Sequence, residues 1–177
     1  MFNLRPLTNG LSLRQPSTLI ATWFGSGLIR PASGTWGSLA SLPFVAAIFF
    51  LPAHMIAAVL CAFILISFAV GLWASARYMK TAQKHDASEI VIDETCGLAI
   101  SFLPFLMYNE INNLSFLVSI AVIFGLFRFY DAAKPYPISY LDKNVGGAMG
   151  VMIDDVLAGI CAGLTYIGGM ILWAHLV

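Results

Sequence analysis

Residues 31–76 decide the fold: they read PASGTWGSLASLPFVAAIFFLPAHMIAAVLCAFILISFAVGLWASA and include no Asp, Glu, Lys or Arg. A helix needs about 20 apolar residues to cross the hydrocarbon core of a bilayer, so a stretch of this length accommodates two helices. Pro52, Ala53 and His54 lie near its middle and favour a tight turn. The stretch therefore predicts one span over roughly Ser38–Leu51 and a second over roughly Met55–Ala76.

The composition of the whole chain points to the same class of protein. Of the 177 residues, 59% are hydrophobic and 10% are charged, whereas a soluble domain usually carries about 25% charged residues. Nine Lys and Arg balance nine Asp and Glu, which leaves no basic excess for binding nucleic acid. These figures exclude a disordered chain, a collagen-like chain and an ordinary soluble enzyme. We expect residues 1–177 to form one membrane-embedded, all-α domain.

Three further apolar stretches bring the expected total to four or five membrane helices, in a polytopic bundle with short cytoplasmic loops. The third span, over Thr95–Tyr108 with its helix beginning near Glu89, is marginal in length and is also compatible with a re-entrant segment. A polar turn over Tyr108–Asn113 separates it from a fourth span over Leu114–Phe127. The fifth span covers Val156–Val177 and carries no charge.

The basic residues fall into three groups in the predicted loops. Three precede the first span, three follow the second and three follow the fourth: Arg5, Arg14 and Arg30; Arg77, Lys80 and Lys84; Arg128, Lys134 and Lys143. The positive-inside rule then places these segments, including the basic segment 1–30, in the cytoplasm. The second group is spaced to share one helical face, which is typical either of a helix near anionic lipid headgroups or of a solvated helix end.

The acidic residues form two adjacent pairs and one single site beside the predicted spans. Asp93-Glu94 precedes the third span, Asp154-Asp155 precedes the fifth, and Asp131 follows the fourth. A charge near a bilayer is costly and needs a partner or a function. An acid at a helix start explains one residue of a pair, but it does not explain Asp131. Nor does it explain why three helix ends on one side are all acidic.

Carboxylates gathered in one place repel one another unless a cation neutralises them. Lys and Arg side chains are nearby, but a divalent metal is the stronger candidate. Mg²⁺ prefers oxygen ligands and commonly shares its coordination shell with substrate phosphate. Because Arg128, Asp131 and Lys134 are three residues apart, a continuous helix places them on neighbouring turns. The residues therefore predict a Mg²⁺–phosphate site on the cytoplasmic side.

Glycine-rich segments precede the first and fifth spans, at residues 25–27, 34–37 and 146–150. Glycine loops at helix starts present backbone N–H groups to phosphate oxygens. Glycine is equally common where two helices pack closely. Both interpretations stay open at this point.

Four segments resemble the phosphatidylglycerophosphatase A family of bacterial membrane phosphatases, in order and spacing, from about Ala21 to Gly163. They are Gly25-Ser-Gly-Leu28 with Gly34-Thr-Trp-Gly-Ser38; Val91-Ile-Asp-Glu-Thr-Cys-Gly97; Phe127-Arg-Phe-Tyr-Asp-Ala-Ala-Lys-Pro-Tyr-Pro-Ile138; and Gly147-Ala-Met-Gly-Val-Met-Ile-Asp-Asp-Val-Leu-Ala-Gly159. The Arg-x-x-Asp-x-x-Lys-Pro and Asp-Asp-x-x-Ala-Gly segments are specific in combination. Two positions depart from the family pattern: Ser33 replaces a frequent proline and Ala148 replaces a usual glycine.

The resemblance implies an all-helical membrane fold in the bacterial inner membrane, with the site facing the cytoplasm. It implies Mg²⁺-dependent hydrolysis of the terminal phosphomonoester of phosphatidylglycerophosphate, which gives phosphatidylglycerol and phosphate. The bilayer and this lipid are the expected partners, with no nucleic acid and no protein partner. The acidic set is carried to five residues as metal ligands: Asp93, Glu94, Asp131, Asp154 and Asp155.

The remaining site residues follow as hypotheses about roles. Arg128 and Lys134 neutralise charge on the transferring phosphoryl group, and together with Asp131 and Asp155 they form the expected catalytic set. Substrate binding is assigned to four residues: Gly34, Thr35, Ser38 and Lys143. For Thr35 and Ser38, capping of the first span is the favoured alternative. A metal-activated water and an aspartyl-phosphate intermediate are both open as routes.

Several other functions are weighed against this one. A transporter predicts carboxylates near the middle of the membrane, and a purely structural bundle predicts that Asp93 and Asp155 tolerate substitution. A histidine-based lipid phosphatase is disfavoured because His54 and His175 fall near the outer face and His85 reads as a surface residue. The sequence contains no DxDxT run and no Cys-x5-Arg loop, and Cys61, Cys96 and Cys161 read as buried hydrophobes. Another lipid-phosphate hydrolase remains the nearest alternative.

Overall fold

The structure is a computed structural model that describes residues 3–8, 10–84, 87–107 and 113–176, with the side chains of 113–115 left aside. Seven α-helices are present in the described residues: α1 Pro16–Ala21, α2 Ser33–Ile48, α3 Ala53–Ala82, α4 Ile92–Ser101, α5 Asn113–Ala133, α6 Ile138–Asn144 and α7 Gly147–Leu176. Two-residue strands β1 Asn3–Leu4 and β2 Ile29–Arg30 pair antiparallel. The expected all-α membrane bundle is confirmed. Residues 108–112 of the predicted polar turn over 108–113 and His85 lie outside the described residues.

Three helices among the described residues are long and apolar enough to cross a membrane. They are α3, the 116–133 part of α5, and α7, with mean hydropathies of 2.7, 1.7 and 1.8. Large apolar side chains cover their outer faces; Leu65 of α3 is 69% exposed and Leu164 of α7 is 63% exposed. Such faces are stable against lipid and unstable against water, so the protein is associated with a membrane.

The other two predicted spans form α-helices that are each shorter than a bilayer core. α2 has 16 residues, which at 1.5 Å per residue gives about 24 Å, short of the roughly 30 Å hydrocarbon core. α4 has 10 residues and continues as a 3-10 helix over Leu103–Met107. The apolar runs predicted helical structure correctly at both places, but α2 begins and ends earlier than the predicted span, and the third predicted span divides into α4 and the 3-10 segment.

Helix ends also differ from the prediction at two further places. α7 begins at Gly147, nine residues before Val156, so Asp154 and Asp155 lie inside the helix and not before it. α3 continues to Ala82, where Gln83 adopts a left-handed φ of 54°. Lys84 therefore lies beyond the helix, and the expectation that it shares a helical face with Arg77 and Lys80 is wrong.

The amino-terminal segment folds back onto the end of α3 and the loop that enters α4. Arg5 Nη1 lies 2.7 Å from Glu89 Oε1, and the Arg5 backbone N–H donates to Leu28 O at 2.8 Å. Burial raises the pKa of Glu89, but hydrogen bonding to Arg5 and the charges of Arg5 and Lys84 outweigh it, so the pKa lies below its ordinary 4.5. The contacts fix the loop that leads into α4.

Two apolar cores flank α4 along the length of the bundle. In the first core, the 3-10 segment and α5 pack against the end of α2, where the ring of Phe49 contacts those of Phe102 and Phe105. The other joins α1, the end of α3 and the start of α7 around α4, with Tyr78 and Met152 almost fully buried. α4 is therefore held on all sides, and its first turn is fixed at one end of the bundle.

Candidate active site

Three carboxylates from three different helices converge at the first turn of α4. One oxygen from each of Glu94, Asp131 and Asp155 lies within 4.8 Å of the others. Glu94 is in the first turn of α4, Asp131 in the last turn of α5, and Asp155 in the third turn of α7. Glu94 and Asp155 are only 6% and 3% exposed. We refer to these three residues as the acidic triad.

Glycine packing explains why α4 and α7 approach closely enough to form the acidic triad. A Cβ at Gly97 would stand 2.5 Å from the backbone oxygen of Asp155, and Gly159 packs directly against the backbone oxygen of Gly97. Gly34, at the start of α2, lies directly against Oε1 of Glu94. For these glycines, and for Gly37 against Val91, the structure supports the close-packing interpretation. Gly146 and Gly147 face open space among the described residues.

Arg128 neutralises part of the acidic triad. Its Nη1 forms a salt bridge with Oε2 of Glu94 and lies 2.8 Å from Oδ2 of Asp131, one turn away on α5. The predicted placement of Arg128 and Asp131 on neighbouring turns is thus confirmed. One guanidinium set against three carboxylates leaves the group net negative.

Ser38 orients Glu94 from the second turn of α2. Its hydroxyl donates to Oε2 of Glu94 at 2.6 Å, and its oxygen accepts a hydrogen bond from Arg128 at 3.2 Å. The favoured capping role for Thr35 or Ser38 is wrong, because α2 begins at Ser33 and its N-cap Ala32 makes no side-chain capping bond. Thr35 is half-buried in the first turn of α2.

Lys134 forms a second charged group beside the acidic triad. Its Nζ lies 2.5 Å from Oδ1 of Asp142 and 2.5 Å from Oδ2 of Asp154. Burial lowers the pKa of Lys134, but the hydrogen bonds to Asp142 and Asp154 outweigh this and raise it above its ordinary value. The condition for Lys134 to share this helical spacing, a helix that continues through it, is not met, since α5 ends at Ala133 and Lys134 has a left-handed φ of 42°. This kink turns Lys134 toward α6 and α7.

Three buried carboxylate oxygens have no hydrogen-bond partner among the described residues: Oδ1 of Asp93 and Oδ2 of Asp155 at this site and, outside it, Oε2 of Glu89, whose other oxygen pairs with Arg5. A buried carboxylate without a partner is strongly unfavourable, so a cation beside it is expected. The donor set consists only of carboxylate oxygens, which suits Mg²⁺ and does not suit zinc. The residues present therefore fit a magnesium ion.

The other predicted site residues are placed as follows. Asp154 forms a salt bridge with Lys134 and is not a member of the acidic triad. Its Oδ1 accepts a hydrogen bond from the backbone N–H of Asp155 at 3.1 Å. Lys143 is exposed near the end of α6 and forms no ion pair within the described ranges. The structure thus brings Glu94, Asp131, Asp155 and Arg128 together, with Asp93 beside them. It does not bring Lys143 to the same place.

Asp142 is a charged partner that sequence reasoning missed. It is eight residues after Lys134, beyond Pro135 and Pro137, so helical spacing gives no reason to pair them. The only signal in the sequence is one acidic residue in a short loop that is otherwise basic.

Comparison with known proteins identifies the family. The sequence model of the phosphatidylglycerophosphatase A family matches residues 19–170, and these residues include every member of the acidic triad and Arg128. The chain belongs to the phosphatidylglycerophosphatase A family. It is therefore a phosphatase, and the resemblance seen in the sequence motifs is confirmed. No solved structure matches the chain.

Curated relatives cover most of the chain. It is 38% identical over 160 residues to phosphatidylglycerophosphatase A of Escherichia coli (strain K12), covering 90% of this chain and 87% of the relative. It is 38% identical over 155 residues to phosphatidylglycerophosphatase A of Haemophilus influenzae, covering 86% and 87%. It is 35% identical over 152 residues to a Bacteroides thetaiotaomicron protein provisionally named a phosphatidylinositol-3-phosphatase, covering 84% and 91%.

Proposed function

We propose that the chain hydrolyses the terminal phosphomonoester of phosphatidylglycerophosphate to phosphatidylglycerol and phosphate, with Mg²⁺ as its cofactor. The observation that carries the proposal is the acidic triad beside Arg128, since these groups fit a metal-assisted phosphoryl transfer. The names of the Escherichia coli and Haemophilus influenzae relatives support this substrate. The name of the Bacteroides relative supports phosphatidylinositol 3-phosphate as the second candidate.

Mg²⁺ would be held by oxygens of the acidic triad, with Oδ1 of Asp93 as a further ligand. When bound, the ion supplies positive charge to the phosphoryl oxygens and lowers the pKa of a coordinated water. Both roles explain why buried carboxylates without hydrogen-bond partners are retained at this place.

The side chains of the chain itself perform the remaining steps. Arg128 presents a fixed guanidinium where negative charge develops on the phosphoryl group. The attacking water forms a bond to phosphorus as the ester P–O bond breaks. One of its protons passes to a carboxylate of the site, for which Asp155 is the candidate through the oxygen that does not bind the metal. The proton taken up by Asp155 then passes to the glycerol oxygen, which leaves as a hydroxyl. In the alternative route a carboxylate attacks phosphorus directly and forms an aspartyl-phosphate. If a single turnover of phosphate-labelled substrate is then quenched with acid, the label stays on the protein.

The site is proposed to face the cytoplasm from the inner membrane. Basic residues concentrate at the end of the bundle that holds the acidic triad, where Arg5 contacts the loop entering α4. The positive-inside rule places such an end in the cytoplasm. A lipid in the inner leaflet then presents its headgroup phosphate to the site.

The test measures phosphate release by the purified protein in detergent, with either candidate lipid, in Mg²⁺ and in EDTA. We expect Mg²⁺-dependent release from phosphatidylglycerophosphate with a higher kcat/KM than from phosphatidylinositol 3-phosphate. The reverse preference moves the assignment to the second lipid. Equal release in EDTA contradicts the metal assignment.

A further inference from the structure

A groove of about 440 Å³ runs between the start of α1 and the outer face of α3. Its lining consists of Gln15, Pro16 and Ser17 on one wall and Trp73, Arg77 and Thr81 on the other. We refer to it as the α1–α3 groove. It shares no residue with the acidic triad or with the charged groups around Lys134.

The α3 wall changes from apolar to cationic within one helical turn. Trp73, Arg77 and Thr81 are four residues apart, so they lie on one face of the helix. Trp73 is 48% exposed, and two turns earlier the exposed surface consists of Leu65 and Ile66. A tryptophan at the end of an apolar face, followed by arginine, is typical of a helix that passes from hydrocarbon into the headgroup region.

The α1 wall supplies polar groups at the level of Arg77. The side-chain amide of Gln15 donates to the backbone oxygen of Gly10 at 3.1 Å, and its Oε1 accepts the hydroxyl of Thr18 at 3.2 Å. These bonds fix the position of Gln15. The described lining residues include one cation and no carboxylate, so the groove attracts an anion.

We propose that the α1–α3 groove binds one anionic phospholipid that is not the substrate. Its headgroup phosphate pairs with the guanidinium of Arg77, and an acyl chain lies along Trp73 and the apolar face of α3. The continuity of the cationic end with a lipid-facing surface favours a phospholipid as the occupant. A zwitterionic lipid carries its own cation and gains less from Arg77. This inference does not depend on the proposed reaction.

The experiment reconstitutes the full chain in phosphatidylcholine vesicles that contain phosphatidylserine, which has no phosphomonoester to hydrolyse. Brominated acyl chains, which quench tryptophan fluorescence at short range, are placed on one lipid or on the other. The difference in quenching between wild type and Trp73→Phe isolates the signal of Trp73. We expect stronger quenching by brominated phosphatidylserine than by brominated phosphatidylcholine at equal mole fraction.

Charge variants then test the role of Arg77. Arg77→Gln is expected to weaken the preference for phosphatidylserine about fivefold, whereas Arg77→Lys preserves most of it. Arg30→Gln removes another exposed cation and is expected to leave the preference unchanged. If Arg77→Gln fails to fold, the proposal is still tested by the comparison of the two brominated lipids in wild type and by the lipid preference of Arg77→Lys.

Three outcomes would overturn the proposal. Equal quenching by the two brominated lipids shows that the groove holds no selected lipid. An unchanged preference in a folded Arg77→Gln variant removes the proposed contact. Displacement of brominated phosphatidylserine by inorganic phosphate shows that the groove is an anion site and not a lipid site.

Discussion

Gly97 of α4 packs directly on the backbone of Asp155 in α7, so closely that a Cβ at position 97 would stand 2.5 Å from the Asp155 carbonyl oxygen and 2.7 Å from the ring of Phe127. The same contact places Glu94, three residues before Gly97, opposite Asp155. Helix packing and the geometry of the acidic triad therefore depend on one glycine.

Gly97→Ala is expected to separate α4 from α7 and to lower both stability and turnover. Overpacking at such a contact costs about 1–3 kcal/mol, and displaced carboxylates would reduce kcat. Gly125→Ala is the matched control, because a Cβ at Gly125 meets nothing within 4 Å among the described residues. It is expected to keep activity and to gain a little helix stability. Thermal unfolding in detergent and phosphate release measure the two effects, and equal behaviour of both variants contradicts the packing argument.

Arg128→Gln is expected to reduce turnover at least 100-fold, as loss of a fixed charge at a phosphoryl site does. It also leaves Glu94 and Asp131 without their shared cation, so the unfolding temperature should fall. Arg128→Lys keeps the charge but does not reproduce the bridging guanidinium. We expect it to recover stability more than kcat. If Arg128→Lys recovers full kcat, charge alone is sufficient and the bridge to two carboxylates has no role.

Ser38→Ala tests the orientation of Glu94. The hydroxyl bond to Oε2 of Glu94 is 2.6 Å long, and loss of a residue that orients a metal ligand costs about 10- to 100-fold in metal affinity or activity. We therefore expect a higher Mg²⁺ requirement in the phosphate-release assay. Ser41→Ala is the control: its hydroxyl lies 2.6 Å from Oγ1 of Thr95 and away from the acidic triad. Similar Mg²⁺ titration curves for the two variants would rule out the positioning role.

Acid sensitivity follows from Glu89. Its folded pKa lies below the ordinary 4.5, so its ionised form stabilises the fold at pH values above 4.5, and this contribution is lost as the pH falls through the lowered folded value. Glu89→Gln should lower the unfolding temperature at neutral pH and flatten its fall below pH 4.5. Unfolding scans across this pH range measure the effect. If the unfolding temperature of the variant falls below pH 4.5 as steeply as that of wild type, a group other than Glu89 causes the acid sensitivity.

The sequence predicts the long helices better than the short ones. The apolar runs at α3 and α7 exceed the length of a bilayer core, so hydropathy alone identifies them. The run at α5 is shorter, and its helix continues past the first charged residues to Ala133. The ends of α2 and α4 depend on tertiary packing, which hydropathy does not report, and α4 begins with the charged pair Asp93-Glu94. The start of α7 at Gly147 was missed because residues 147–155 contain two glycines and two aspartates, which interrupt the apolar pattern of the helix.

In the candidate site, too, the sequence predicts contacts within one helix better than contacts between helices. Arg128 and Asp131 were predictable as neighbours because they share a helix. The convergence of Glu94 with Asp155 depends on the crossing at Gly97 and Gly159, which no spacing rule describes. Pairing of Lys134 with Asp142 depends on a left-handed residue at the end of α5, and single-sequence reasoning had no signal for it.

The most direct test of the account is Mg²⁺ binding at the acidic triad, measured by titration calorimetry in detergent on wild type, Asp155→Asn and Glu89→Gln. Glu89 is the matched control because it is an equally buried carboxylate that pairs with Arg5 outside the triad. We expect Mg²⁺ to bind to wild type and to Glu89→Gln but not to Asp155→Asn, with phosphate release lost in parallel. Undiminished Mg²⁺ binding by a folded Asp155→Asn variant would show that these three carboxylates do not hold the metal.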